Sequence, residues 1–167
     1  MRRDREFETF VLARSPALRR MAYLMCGDWH LAEDALQDAF IKLYVAWPNV
    51  ARDGRENAYV RQIVVRTLID QHRRPWRRER ATADLPDSAV VSTSGHESSS
   101  LNQALALLPV RQRTVLVLRF WEDLSVQQVA HELGVAEGTV KSQTARGLER
   151  LRSVIGEQNQ FEGTRNE

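Results

Sequence analysis

The chain has 167 residues, 43% of them hydrophobic and 28% charged, with a formal net charge of +2, which fits one ordinary globular domain or two small ones. No run of eighteen apolar residues exists, and the opening MRRDREFETF carries charge where an export signal needs an apolar core, so the expectation is a cytoplasmic protein with no direct membrane insertion. Cys26 is the one cysteine, which excludes an internal disulfide, and His30, His72, His96 and His131 lack a cysteine or acidic partner at ligand spacing, so neither a metal nor another cofactor is expected.

Glycine and proline are sparse and no stretch alternates with a period of two, so the pattern predicts an all-α protein of two small helical domains joined by a flexible linker. Phe7, Phe10, Val11 and Arg14 open a first helix, which Ser15-Pro16 either kinks or restarts. Leu18, Met21, Ala22 and Met25 continue its apolar face, Cys26 reads as a buried structural thiol in MAYLMCG, and Gly27 is the expected C-cap. Asp28 can cap a second helix, in which Leu36, Phe40, Leu43 and Trp47 recur at helical spacing until Pro48 ends it. Its opposite face carries Glu33, Asp34, Gln37, Asp38 and Lys42. A polar loop, ARDGREN at 51–57, leads to AYVRQIVVRTLIDQHRR, read as a helix with one buried and one basic side. The basic excess of the chain lies here: residues 1–80 hold 16 basic and 11 acidic groups, and RRPWRRER at 73–80 is the densest piece.

Residues 81–100 change character, with no basic group and many Ser, Ala and Thr, and read as the linker. Helical patterning resumes over 101–155, through Leu101, Leu105, Leu108, Val115, Leu116, Leu118, Phe120, Val129, Leu133, Val140, Leu148 and Leu151, before a polar tail at 156–167 that is expected to fray.

Within that half, SVQQVAHELGVAEGTVKSQTARGLERLR holds two helical stretches separated by GVAE, the length of turn found in a helix-turn-helix. Ala130 is small where the helices would cross, Gly134 can take the left-handed turn, and Val140 would bury the second helix, with Val126, Val129, Leu133 and Val135 as the surrounding core. The second helix then presents Glu137, Thr139, Lys141, Ser142, Gln143 and Arg146 outward. Arg and Lys suit guanine edges or phosphates, Gln suits adenine, and Ser or Thr suits either, so this face points to a DNA major groove. There is no Ser-His-Asp spacing, glycine-rich phosphate loop or cluster of metal ligands, so no enzymatic activity is expected.

The run LPVRQRTVLVLRFWEDLSVQQVAHELGVAEGTVKSQTARGLERLR resembles the fourth domain of the extracytoplasmic-function, group IV, sigma factors of the sigma-70 family. In the first half, GDWHLAEDALQDAFIKLYVAW is similar to the core-polymerase-binding segment of the second domain, and AYVRQIVVRTLIDQHRR to the helix that handles the minus-ten element. SPALRRMAYLMCGDWHLAED and GTVKSQTAR look most like the actinobacterial sigma-E-type subgroup. The resemblance implies sigma region 2 over 1–80 and region 4 over 101–155. It implies a transcription initiation factor whose partners are core RNA polymerase, at the beta-prime clamp and the beta flap, and promoter DNA. It allows an anti-sigma factor without requiring one.

By the same resemblance, Asp34, Gln37, Asp38 and Lys42 would meet the polymerase. Loop 51–57 would receive a flipped minus-ten base, with Asp53, Arg55, Asn57 and Tyr59 as its polar and stacking groups. Arg61, Arg66, Arg73 and Arg74 would contact phosphates, and Thr139, Lys141, Ser142, Gln143 and Arg146 the minus-thirty-five duplex. Two positions depart from the family pattern: Arg66 stands where Asn is common, and Gln143 where relatives outside the subgroup have Arg. The competing expectation is a stand-alone helix-turn-helix regulator that binds an operator as a dimer.

Overall fold

A computed structural model describes residues 1–79 and 100–164, with side chains over 1–71 and 100–157. Among the described residues every regular element is helical: α1 (Arg2–Cys26), α2 (Trp29–Val50), α3 (Glu56–Glu79), α4 (Ser100–Ala106), α5 (Val110–Leu116), a π-helical turn (Val117–Trp121), α6 (Val126–Leu133) and α7 (Glu137–Thr164). The chain divides into two compact units, Met1–Asp84 and Leu85–Glu167. The expected linker lies outside the described residues except for Ser100, which opens α4.

In the first unit α2 packs against both α1 and α3. Ala32, Ala35 and Ala39 are completely buried along α2, and this row of small side chains lets its neighbours approach closely. Leu18, Met21 and Met25 of α1 and Val60, Val64, Val65 and Leu68 of α3 fill the core. Cys26 is buried with them, and its thiol donates to the Asp28 carbonyl at 3.2 Å.

The elbow between α1 and α2 follows from two adjacent residues. Gly27 adopts φ 70° and its N–H returns to the Tyr23 carbonyl at 2.7 Å, closing α1. The Asp28 carboxylate then accepts from the amides of His30 and Leu31 at 2.8 and 3.2 Å, opening α2. Across the elbow the Tyr23 ring stacks on Trp29 at 3.9 Å, Arg19 lies over Trp29, and Arg19 pairs with Glu33 at 2.6 Å.

Neither proline breaks its helix. Pro16 lies inside α1, and α2 continues past Pro48 to Val50, with the Ala51 amide bonded to the Trp47 carbonyl at 2.9 Å. Pro48 has no N–H for the carbonyl four residues earlier, that of Tyr44. Arg3 supplies the missing donor: its Nη2 reaches the Tyr44 carbonyl at 2.6 Å, while its guanidinium lies over the Tyr44 ring. The expected helix end at Pro48 is thereby overturned by a contact from forty-one residues upstream. The Tyr44 hydroxyl also donates to Asp4 at 2.8 Å, and Phe7 and Phe10 pack against Trp47.

In the second unit α4, α5 and α6 all pack on α7. Arg113 is 1% exposed, and its Nη2 donates to the carbonyls of Ala106 and Leu108 at 3.2 and 3.1 Å, tying the end of α4 to α5. Gly147 sits where α7 crosses α5; a Cβ there would stand 3.1 Å from Leu116 Cδ1. α7 runs on to Thr164 where the sequence predicts a frayed tail.

The π-helical turn at the end of α5 carries the Glu122 amide to the Val117 carbonyl at 3.1 Å. Its wider winding rotates the apolar register, so Phe120, expected to continue the core face, is instead 58% exposed beside Trp121. Leu101 is exposed as well. Ser125 and Gln128 then form a capping box at the start of α6: the Gln128 amide donates to Ser125 Oγ at 3.1 Å and the Ser125 amide to Gln128 Oε1 at 2.8 Å.

Candidate functional site

The outward face of α2 carries two kinds of chemistry. Asp34, Gln37, Asp38 and Lys42 are all exposed, as expected. Glu33 is committed to Arg19, whereas Asp34 and Asp38 enter no ion pair among the described residues. Spacings of four, three and four place Asp34, Asp38, Ile41 and Val45 on one line of the helix. Ile41 is 65% and Val45 75% exposed. The stripe is therefore acidic in its first half and aliphatic in its second, suited to a partner helix with basic and apolar groups. Sequence reasoning missed Ile41 and Val45, although the same spacing that groups the two aspartates already places them there.

The connection from α2 to α3 is a short bonded turn. The Gly54 amide returns to the Ala51 carbonyl at 3.2 Å and the Arg55 amide to the Val50 carbonyl at 3.1 Å, with Gly54 at φ 66°. The loop expected over 51–57 is shorter, because Glu56 and Asn57 belong to α3. Asp53 and Arg55 are brought together: Arg55 Nη2 donates to Asp53 Oδ2 at 2.7 Å, and Arg52 Nε stands 3.9 Å from Oδ1. Asn57 is exposed in the first turn of α3 and Tyr59 is half-buried in the next.

The described part of α3 does not present one basic side. Arg61 is half-buried and Arg66 exposed. Five residues of separation put them about 140° apart around the axis. Arg66 shares its line with Tyr59, Ile63 and Asp70 instead. Arg73 and Arg74 lie in α3, but their side chains are outside the described residues.

In the second unit the helix-turn-helix geometry follows the sequence closely. Ala130 and Val140 are buried and Gly134 adopts φ 64°, with its N–H directed to the His131 carbonyl at 3.4 Å. Val129 is completely buried, but Val135, expected in the core, is 39% exposed because it lies in the turn itself. On α7, Thr139, Ser142 and Arg146 are exposed and lie three and four residues apart, on one face, with half-buried Gln143 at its edge. Lys141, two residues from Gln143, points to the opposite flank. The Ser142 hydroxyl donates back to the Thr139 carbonyl at 3.0 Å, which leaves its oxygen free to accept.

Comparison with known proteins decides the family. Sigma-70 region 2 matches residues 10–78, inside the first unit, and sigma-70 region 4 matches residues 98–151, inside the second. The chain is 38% identical over 152 residues to the RNA polymerase sigma-E factor of Streptomyces avermitilis, covering 90% of this chain and 85% of that protein. It is 35% identical over 142 residues to the ECF RNA polymerase sigma factor SigM of Mycobacterium tuberculosis, covering 83% and 71%.

The chain belongs to the extracytoplasmic-function sigma factors of the sigma-70 family.

The sigma factor RpoE of Bartonella quintana, solved in complex with the anti-sigma factor NepR, shares the fold, with a TM-score of 0.70 over 90% of this chain and 97% of that one at 23% identity. The sigma-E resemblance read from SPALRRMAYLMCGDWHLAED and GTVKSQTAR agrees with the Streptomyces sigma-E relatives. Among the described residues of this sigma factor no helix is long and apolar enough to cross a membrane.

Proposed function

We propose that the protein is a transcription initiation factor that binds core RNA polymerase and directs it to promoters carrying minus-thirty-five and minus-ten elements. The observation that carries this reading is the presence of sigma-70 region 2 and region 4 in order along one chain. An operator-binding regulator would need only the helix-turn-helix and leaves the first unit without a task.

In this reading the α2 stripe of Asp34, Gln37, Asp38, Lys42, Ile41 and Val45 docks on the clamp of the polymerase beta-prime subunit. The second unit sits at the beta flap with Thr139, Ser142, Gln143 and Arg146 in the minus-thirty-five major groove and Lys141 on a flanking phosphate. The 51–55 turn with Asn57 and Tyr59 holds a flipped minus-ten base, and Arg61, Arg66, Arg73 and Arg74 follow the opened backbone. The protein works in the cytoplasm, carries out no chemistry itself, and leaves RNA synthesis to the polymerase. An anti-sigma factor would silence it by covering these same faces.

The test is run-off transcription from sheared genomic DNA with purified actinobacterial core polymerase, with and without the protein, followed by mapping of RNA starts. Protein-dependent starts that share two upstream elements are expected. No new starts, together with no co-elution with core polymerase, would overturn the reading.

A further inference from the structure

The weakest turn of α2 lies at the end of its exposed stripe. Pro48 offers no N–H to the Tyr44 carbonyl, and its ring crowds that oxygen, so a helix kinks or frays at such a point unless something holds it. Val45, the last residue of the stripe, sits inside this turn and is 75% exposed. Beyond Pro48, the Val50 and Ala51 carbonyls accept the amides of Arg55 and Gly54 at 3.1 and 3.2 Å, which fastens the 51–55 turn to the end of α2. A bend at Pro48 therefore shifts Val45 and this turn relative to Asp34 and Asp38.

The first turns of α1 brace that point. Arg3 Nη2 donates to the Tyr44 carbonyl at 2.6 Å, with the guanidinium 4.7 Å from the Tyr44 ring centroid. The Tyr44 hydroxyl donates to Asp4 at 2.8 Å, and Phe7 meets the ring edge-on at 5.0 Å. Water can also satisfy an exposed carbonyl, but Arg3 ties it to a second helix, and a charged donor makes the stronger bond. Arg3 and Pro48 are both exposed, whereas Trp47 and Val50 are buried and keep the end of α2 on the core. What Arg3 adds is the shape of the outer surface.

We propose that Arg3 is a positioning residue for polymerase docking: it splints α2 across Pro48, so that Ile41 and Val45 continue the line of Asp34 and Asp38. The inference rests on the polymerase-binding reading above. Arg3 itself makes no contact with the polymerase in this scheme; its effect passes through the Tyr44 carbonyl. A chain whose α2 is bent part of the time is competent to dock only part of the time, and its apparent affinity falls by that fraction.

The test is a double-mutant cycle between Arg3→Ala and Pro48→Ala in the full chain, read as affinity for core polymerase. Arg3→Ala should weaken binding about tenfold, the effect of a competent fraction near one tenth. Pro48→Ala returns the missing N–H to the backbone, so alone it should bind as wild type. In that background Arg3→Ala should cost about twofold or less. Arg3→Lys, which keeps a charged donor, should recover part of the loss. Hydrogen exchange at the Ala51 amide should quicken in Arg3→Ala and slow again in the double variant.

An Arg3→Ala chain that binds as wild type would overturn the inference. So would a loss that Pro48→Ala fails to relieve, which would make Arg3 a direct contact. Either result leaves the sigma reading standing as long as the wild-type chain co-elutes with core polymerase. Failure of the wild-type chain to co-elute sinks both.

Discussion

Tyr44 joins both ends of a clasp between the first turn of α1 and the middle of α2. The N-terminal ammonium at 3.0 Å and the Tyr44 hydroxyl hold the Asp4 carboxyl below its ordinary pKa, and Asp4 in turn raises that of Tyr44. The signs give a window. A lowered carboxyl pKa contributes stability that is present above the unfolded value of 3.8 and is lost as pH falls through the folded one. A raised phenol pKa contributes stability that is present below 10.0 and is lost as pH rises through the folded one. The clasp is therefore closed across the neutral range and opens at both extremes. Ultraviolet titration should show a phenol step raised above the ordinary tyrosine value, and Tyr44→Phe should remove it; a titration unchanged by Tyr44→Phe would contradict the geometry. Arg3→Ala tests the neighbouring bond. With the Tyr44 carbonyl no longer paired, the last turn of α2 should fray past Pro48, read as faster hydrogen exchange at the Ala51 amide.

At the scale of elements, the helix-turn-helix depends on two small local devices. Gly134 holds φ 64° with open space around its missing Cβ, so Gly134→Ala meets no neighbour and reports backbone strain alone. That strain costs about 1–2 kcal/mol. Ser125→Ala removes one half of the capping box at α6, a loss of about 1 kcal/mol. Each should lower the thermal midpoint of the second unit by roughly 5 °C, and Gly134→Asn should cost less than Gly134→Ala. Most of this was legible in the sequence, because caps and turns are local. Gly27, Asp28, Ala130, Gly134 and Val140 all stand as their residue types require. What was not legible is long-range or depends on winding. No pattern in residues 29–50 could announce that Arg3 would supply the donor Pro48 lacks. A fixed helical period also carries Phe120 into the core, whereas the π-helical turn rotates it out. The site divides the same way: the exposed acids of α2 and the face of Thr139, Ser142 and Arg146 follow from spacing, while the Asp53–Arg55 pair and the separation of Arg61 from Arg66 needed coordinates.

At the scale of the whole molecule, a net charge of +2 is small for a protein that must hold DNA. In the proposed reading two modules on one chain, both anchored to polymerase, gain affinity through effective concentration, so neither needs to grip DNA tightly alone. Anchoring therefore governs everything downstream, and the α2 stripe is where it should be most sensitive. Asp34→Arg combined with Asp38→Arg reverses the acidic half, and like-charge contact across an interface costs several kcal/mol, so core polymerase affinity should fall about 100-fold or more. Ile41→Asp tests the aliphatic half and should weaken binding without touching either acid. These side chains are exposed and the aspartates enter no ion pair among the described residues, so helical content and melting should stay near wild type. The isolated minus-thirty-five duplex should bind as before, since its proposed contacts lie on α7 in the other unit. Co-elution with core polymerase, measured beside duplex binding, separates the two faces. A reversed stripe that still co-elutes would place the polymerase contact elsewhere, and a wild-type chain that binds duplex without co-eluting with core polymerase would return the operator-binding regulator to consideration.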